Sequence, residues 1–181
     1  MKKSAYLLLA VLLVGSVYAA QQDPMVGGAA MYPTKNIIQN AVNSADHTTL
    51  VAAVKAAGLV DTLSGTGPFT VFAPTNQAFA KLPAGTVDSL LKPEMKDTLT
   101  KVLTYHVVAG KMSSKDIAKA IKAGQGTATL RTVSGGTLRA SMSGPDLVLT
   151  DEKGGTSKVT IADVFQSNGV IHVVDTVVMP N

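Results

Sequence analysis

The sequence predicts an α+β domain, with helices in its first half and antiparallel strands in its second. Three observations carry that prediction. Between Asn36 and Gly124 the apolar residues recur mostly at helical spacing. Between Thr127 and Val174 they sit in short alternating runs divided by Gly-, Pro- and Asp-bearing turns. Helical segments followed by runs of strands argue for segregated layers rather than a parallel βαβ sheet, and the length allows one domain.

The elements follow in chain order. Asp46 is expected to cap a helix whose Leu50, Ala53, Val54 and Ala57 share one face, with Gly58 ending it and Leu59 packing back as the apolar contact. Phe69-Thr70-Val71-Phe72 is aromatic and β-branched, so it reads as a buried strand stopped by Pro74. Thr75 or Asn76 then caps a short helix that turns Phe79 and Leu82 inward. Thr86 opens another short segment. Pro93 suits the first turn of a helix with Met95, Leu99, Val102 and Leu103 inward. Tyr105-His106-Val107-Val108 reads as a strand or its entry. Ser113 and Asp116 form a capping-box pattern ahead of Ile117 and Ile121, and Gly124 ends that helix. Strands are expected over 127–133, 137–142, 147–150, 158–161 and 170–174.

The N-terminus reads as an export signal. Lys2-Lys3 precede an apolar run from Ala5 to Val14, too short to span a bilayer, and cleavage is expected after Ala19. Residues 20–35 read as an extension or linker, with Met25, Val26, Met31 and Tyr32 favouring partial docking on a domain spanning 36–180. Loss of residues 1–19 would leave 162 residues with 14 basic and 12 acidic side chains. The expected protein is secreted or periplasmic, with no stable membrane span once cleaved. The absence of cysteine excludes thiol catalysis and thiolate metal sites, and leaves the core rather than disulfides to hold the fold. No dense basic run is present, there is no Trp, and aromatics make up only 4% of residues, so nucleic acid is not an expected partner and the charges read as solvated surface.

Catalytic patterns are missing from the sequence. There is no Gly-x-Ser-x-Gly elbow, and Ser64-Gly65, Ser134-Gly135 and Ser143-Gly144 sit in turn sequences. His47, His106 and His172 lack metal-ligand spacing, and Gly154-Gly155-Thr156 lacks a P-loop lysine. No catalytic residue, metal site or cofactor is expected.

Three blocks in fixed order carry a resemblance. They are GPFTVFAPTNQAF (67–79), the Tyr105-His106 pair in LTYHVVAG, and NGVIHVVDTVVMP (168–180). Together with TLVAAVKAAGLVDTL (49–63) they resemble the fasciclin-type domain over nearly the whole chain after the leader. The resemblance implies a compact wedge of β-sandwich-like sheets with a cluster of short helices against it, and a non-enzymatic adhesion or interaction module. It implies motif roles for Phe69, Thr70, Phe72, Pro74, Thr75, Asn76, Phe79, Gly169 and His172. It also implies partner contact at Tyr105 and His106 and at Asp163-Val164, which match the family's adhesion positions. The residues themselves favour other duties. His106, among apolar neighbours, reads as a core group hydrogen-bonded through both ring nitrogens; His172, mid-strand, reads as half-exposed; Asp163 reads as a turn cap. The expected partner is a cell-surface or matrix protein or glycan. A carrier of apolar small molecules, with Met95, Met112 and Met142 lining a cavity, is the alternative. Oligomeric state is not legible.

Overall fold

The computed structural model describes residues 23–181, so the expected leader lies outside the described residues. Among the described residues, nine strands and seven short α-helices make up the fold. The strands are β1 (Met25–Val26), β2 (Ala29–Ala30), β3 (Phe69–Pro74), β4 (Val107–Ala109), β5 (Thr127–Arg131), β6 (Thr137–Ser143), β7 (Asp146–Thr150), β8 (Thr156–Gln166) and β9 (Gly169–Val174). The helices are α1 (Ile37–Ala41), α2 (Thr48–Ala57), α3 (Val60–Ser64), α4 (Asn76–Ala80), α5 (Thr86–Leu90), α6 (Lys96–Tyr105) and α7 (Ser114–Ala123). The α+β layering expected from the sequence is the layering observed.

Seven strands form one mixed sheet in the order β4-β3-β9-β8-β7-β6-β5, and a bridge between Val108 and Thr132 brings its two ends together. At the centre, β3 and β9 pair in parallel from Phe69↔Gly169 to Pro74↔Val174. These strands come from the first and third sequence blocks. Glycine is required at 169, because a Cβ there would stand 2.2 Å from the Phe69 carbonyl oxygen.

Alternation along β3 and β9 divides the core in two. Val71, Ala73, Ile171 and Val173 face α1, α2 and α6. Phe72 and Val174 face the opposite way, toward Leu138, Leu149, Ile117 and Ile121. Both clusters bury large aliphatic side chains, each contributing roughly 1.5–3 kcal/mol of transfer free energy. That is why a cysteine-free chain can hold this shape.

The structure corrects several expectations. Asp46 does not cap α2. It lies in a 3-10 turn (Ala45–His47), and Asn76 caps from outside: its Oδ1 accepts from Thr49 N at 3.0 Å while its Nδ2 donates to the Ala45 carbonyl at 2.8 Å. Thr75 is the cap of α4, accepting from Ala78 N at 3.2 Å. Asn76→Ala should therefore destabilise the protein by about 1–2 kcal/mol, the range of a lost helix cap, readable as a lower urea midpoint at unchanged slope. Tyr105 is the last residue of α6 rather than a strand residue, and it packs into the second core cluster, not the one that takes Leu99, Val102 and Leu103. The strand expected over 158–161 runs on to Gln166, with bulges between Val159 and Val164. Gly58 (φ 72°) and the Ser113/Asp116 capping box end α2 and open α7 as expected.

The residues from Met25 to Met31 form a small hairpin against the body. Val26 and Met31 are buried, and Ala45 N donates to the Gly27 carbonyl at 3.1 Å. Of the four residues expected to dock, Val26 and Met31 do so, while Met25 and Tyr32 are exposed. Among the described residues no helix is long and apolar enough to cross a membrane.

Candidate interaction site

The loop from Gly110 to Ser114, between β4 and α7, crosses the bulged part of β8 and is fastened at several points. Thr70 Oγ1 donates to the Gly110 carbonyl (2.6 Å) and accepts from Met112 N (2.9 Å). His172 Nε2 pairs with the Met112 carbonyl at 2.9 Å, while its Nδ1 accepts from Asp163 N at 3.3 Å. These partners require the neutral tautomer with the proton on Nε2. The ring stacks on Phe72 with centroids 5.6 Å apart. The Asp163 carboxylate accepts from Ser114 N (2.7 Å) and Ser114 Oγ (2.5 Å) at the start of α7, where backbone N–H groups are free and the dipole favours a negative charge.

Asp163 holds this position with φ 61°, a left-handed conformation that Asp tolerates better than most residues. It reads as a turn in sequence because the same backbone state serves turns. Here it is a bulge inside a strand. The bulge re-aims the carboxylate at α7 and leaves Val164 pointing into the core, fully buried.

Tyr105 and His106 are also interior. The Tyr105 hydroxyl donates to the Thr137 carbonyl at 2.6 Å and accepts from Glu152 N at 3.1 Å, and burial raises its pKa. His106 caps the end of α6. Its Nδ1–H pairs with the Val102 carbonyl (2.8 Å) and its Nε2 accepts from Val178 N (3.2 Å). Burial pushes its pKa down to about 4. Both nitrogens are thus used by the backbone, as the sequence led us to expect.

Of the four residues expected at a contact surface, only Asp163 reaches solvent, and only in part. Tyr105, His106 and Val164, three of the residues expected at a contact, are buried here: Tyr105 and His106 bond the interior backbone at Thr137, Glu152, Val102 and Val178, and Val164 packs in the core. His172 is fully buried, not half-exposed, because the 110–114 loop lies over it. Burial lowers its pKa too. What the shelf does present is Lys111 and Phe165. Phe165 is 39% exposed, and the Lys111 ammonium stands 5.1 Å from its ring centroid.

Sequence reasoning missed the residue that ties the other end of β9. Asn168 Oδ1 accepts from Ile37 N (3.0 Å), and its Nδ2 donates to the carbonyls of Leu63 and Gly65 (both 2.8 Å). Three segments distant in sequence meet on one amide. The Asn-Gly dipeptide signals a turn, but nothing local signals those partners. The pairing of Asn40 Nδ2 with Gln166 Oε1 was equally hidden.

Two apolar cavities lie between the helices and β3. Each has a volume of about 30 Å³, and they share Ile37, Ala41, Leu50 and Val71. That is room for about one water molecule. None of Met95, Met112 and Met142 lines either cavity, although the carrier alternative would require them to. Among the described residues no three His, Asp or Glu side chains gather as a metal site would require.

A layered α+β scaffold whose His106 and His172 imidazoles and Tyr105 phenol are bound by its own backbone, and whose loop is latched to a strand bulge, defines a domain built to hold a surface rigid. Comparison with known proteins gives the family: the fasciclin domain profile matches residues 45–180, and the chain belongs to that family. It is 47% identical over 164 residues to Protein sll1483 of Synechocystis sp., covering 88% of this chain and 82% of the relative. It is 34% identical over 170 residues to the immunogenic protein MPB70 of Mycobacterium bovis, covering 91% of this chain and 73% of the relative. Among solved structures it resembles a FAS1 domain pair from the insect cell adhesion molecule Fasciclin I, with TM-score 0.68 and 20% identity over 78% of this chain. The chain spans half the length of that two-domain structure.

Proposed function

We propose that this protein is a secreted or periplasmic, non-enzymatic interaction module that binds cell-surface or matrix components through the shelf formed by the 110–114 loop and the β8 bulge. One observation carries the reading. Asp163, which the family resemblance marks for adhesion, latches that shelf by accepting from Ser114, and the motif residue His172 fastens it to the Met112 carbonyl. The contact itself then falls to their exposed neighbours Lys111 and Phe165, with Asp163 as the latch. Export is supported by the N-terminal sequence pattern, and adhesion by the fold shared with an insect adhesion molecule. A carrier for small molecules would need a pocket of roughly 300 Å³ or more inside the fold, and the two apolar cavities of about 30 Å³ between the helices and β3 do not support it.

Beads coated with the protein test the proposal by their retention on cell-envelope and extracellular-matrix preparations. Phe165→Ser is expected to reduce retention at unchanged melting temperature. Asp163→Ala is expected to reduce both, because the loop loses its anchor. Retention of both variants at the wild-type level, or no retention of any bead, would defeat the proposal.

A further inference from the structure

The lysines that look scattered in sequence line up on one helix. Lys115, Lys119 and Lys122 follow the i, i+4, i+7 spacing of a single face of α7, and all three are exposed. At 1.5 Å rise per residue they mark out a row about 10 Å long. Lys111 extends the row back through the loop to Phe165. The opposite face of α7 is fixed to the sheet by Ile117 and Ile121, so the lysine face is held in one orientation.

The surrounding charge is lopsided. Between residues 111 and 139 the chain carries six basic side chains and one acidic, Asp116. Asp116 is engaged by Ser113 N (3.0 Å) and Ser113 Oγ (2.7 Å), and it also lies near Lys119. Asp163 is taken up by Ser114. Among the described residues the ion pairs are Lys81–Asp175 and Lys158–Asp146, so none of the four lysines in the row is paired with a carboxylate.

Beside Lys115 lies an open cleft of about 330 Å³ between α7 and the β6–β8 face. Met142, Pro145 and Leu147 give it an apolar floor, Ser114 and Thr160 place hydroxyls at its edge, and Asp146 also lines it, its carboxylate paired with the Lys158 ammonium at 2.7 Å. An apolar floor rimmed by hydroxyls suits a sugar ring, which has a C–H face and polar edges. A row of unpaired ammonium groups suits regularly spaced carboxylates or sulfates. The row is too sparse, and the exposed apolar surface too small, to hold a membrane, where one weak signal does not anchor.

We infer that the α7 lysine row and the adjoining Met142 cleft form a binding site for a linear acidic polysaccharide. This deepens the proposed function and rests on it, since it names the class of matrix component bound. The polymer lies along α7, with its anionic groups on Lys115, Lys119 and Lys122 and one sugar ring in the cleft.

The probes are polygalacturonate, heparin, neutral dextran and phosphatidylglycerol vesicles, each titrated against the 20–181 protein at two salt concentrations. Polygalacturonate or heparin should bind, more weakly at higher salt, and dextran should not. The triple variant Lys115→Gln/Lys119→Gln/Lys122→Gln should lose at least tenfold in affinity. A charge-matched control, Lys55→Gln/Lys92→Gln/Lys153→Gln, should lose less than twofold. Met142→Glu should weaken binding while leaving the melting temperature unchanged. Equal losses in the two triple variants would show attraction to net charge alone and overturn the site. Binding to vesicles but not to the polysaccharides would overturn the ligand class. If no polysaccharide binds yet beads are still retained in a Phe165-dependent way, this inference falls and the adhesion proposal stands.

Discussion

Asn168→Asp is expected to cost at least about 3 kcal/mol of folding stability. The side-chain shape is nearly conserved, so packing is not the cause. The amide that donates to the Leu63 and Gly65 carbonyls would become a carboxylate oxygen facing both. Each buried carbonyl left without a donor costs about 1–3 kcal/mol, and a negative charge brought up to two of them costs more. Ile37 N would keep its acceptor, so the loss falls on the α3 end of the junction. Urea unfolding of the variant measures it. Asn43→Asp is the control: its amide donates to the Gln39 carbonyl at the exposed end of α1, and the change should be close to neutral. A loss below about 1 kcal/mol at Asn168 would mean that the three segments are not joined through this amide.

Stability should hold steady above pH 6.5 and fall as the pH drops from there toward 4. The sign follows from His106. Its pKa when folded is about 4, below the 6.5 of an unstrained imidazole, because burial penalises the charged ring. Below pH 6.5 the unfolded chain takes up a proton that the folded chain refuses, so unfolding is favoured as acid is added. A shift of this size amounts to about 3 kcal/mol by pH 4 from His106 alone. His47 and His172 are lowered in the same direction, both chiefly by burial, and add to the slope. The carboxylates act lower on the scale. Asp116 and Glu152 are held below the usual range by hydrogen bonds, and their stabilising effect is lost only as the pH falls through those depressed values. The interval between pH 6.5 and 4.5 therefore belongs to the histidines. Urea midpoints across that interval measure the slope, and NMR titration of the His106 ring tests its source. A ring that protonates near pH 6.5 in the folded protein would contradict the assignment.

Much of the fold was legible because its signals are local. Gly58 ends a helix because a left-handed residue is needed there, and Ser113 with Asp116 opens one because free N–H groups need acceptors. His106 was readable as a doubly bonded core group, since an imidazole amid Val and Leu must find partners for both nitrogens. The family-marked positions were legible as important but not as to how. Asp163 carries a turn-like backbone, yet whether that makes a turn or a bulge depends on the strand beside it. Phe165 and the lysine row had no special standing in sequence, because exposure and alignment on a surface are properties of the folded molecule.

By itself the chain determined its α+β class, several of its helix ends and its cysteine-free core. Each of these rests on the chemistry of a few adjacent residues or on the bulk of apolar surface to be buried. Only the tertiary structure decided that Asn168 joins three segments, that Asn76 caps a helix other than its own, and that Asp163 latches a loop rather than facing a partner. Those contacts join residues tens to more than a hundred positions apart. A hydrogen bond across such a span leaves no periodicity in the sequence, because its geometry exists only once the sheet has brought the two sides together.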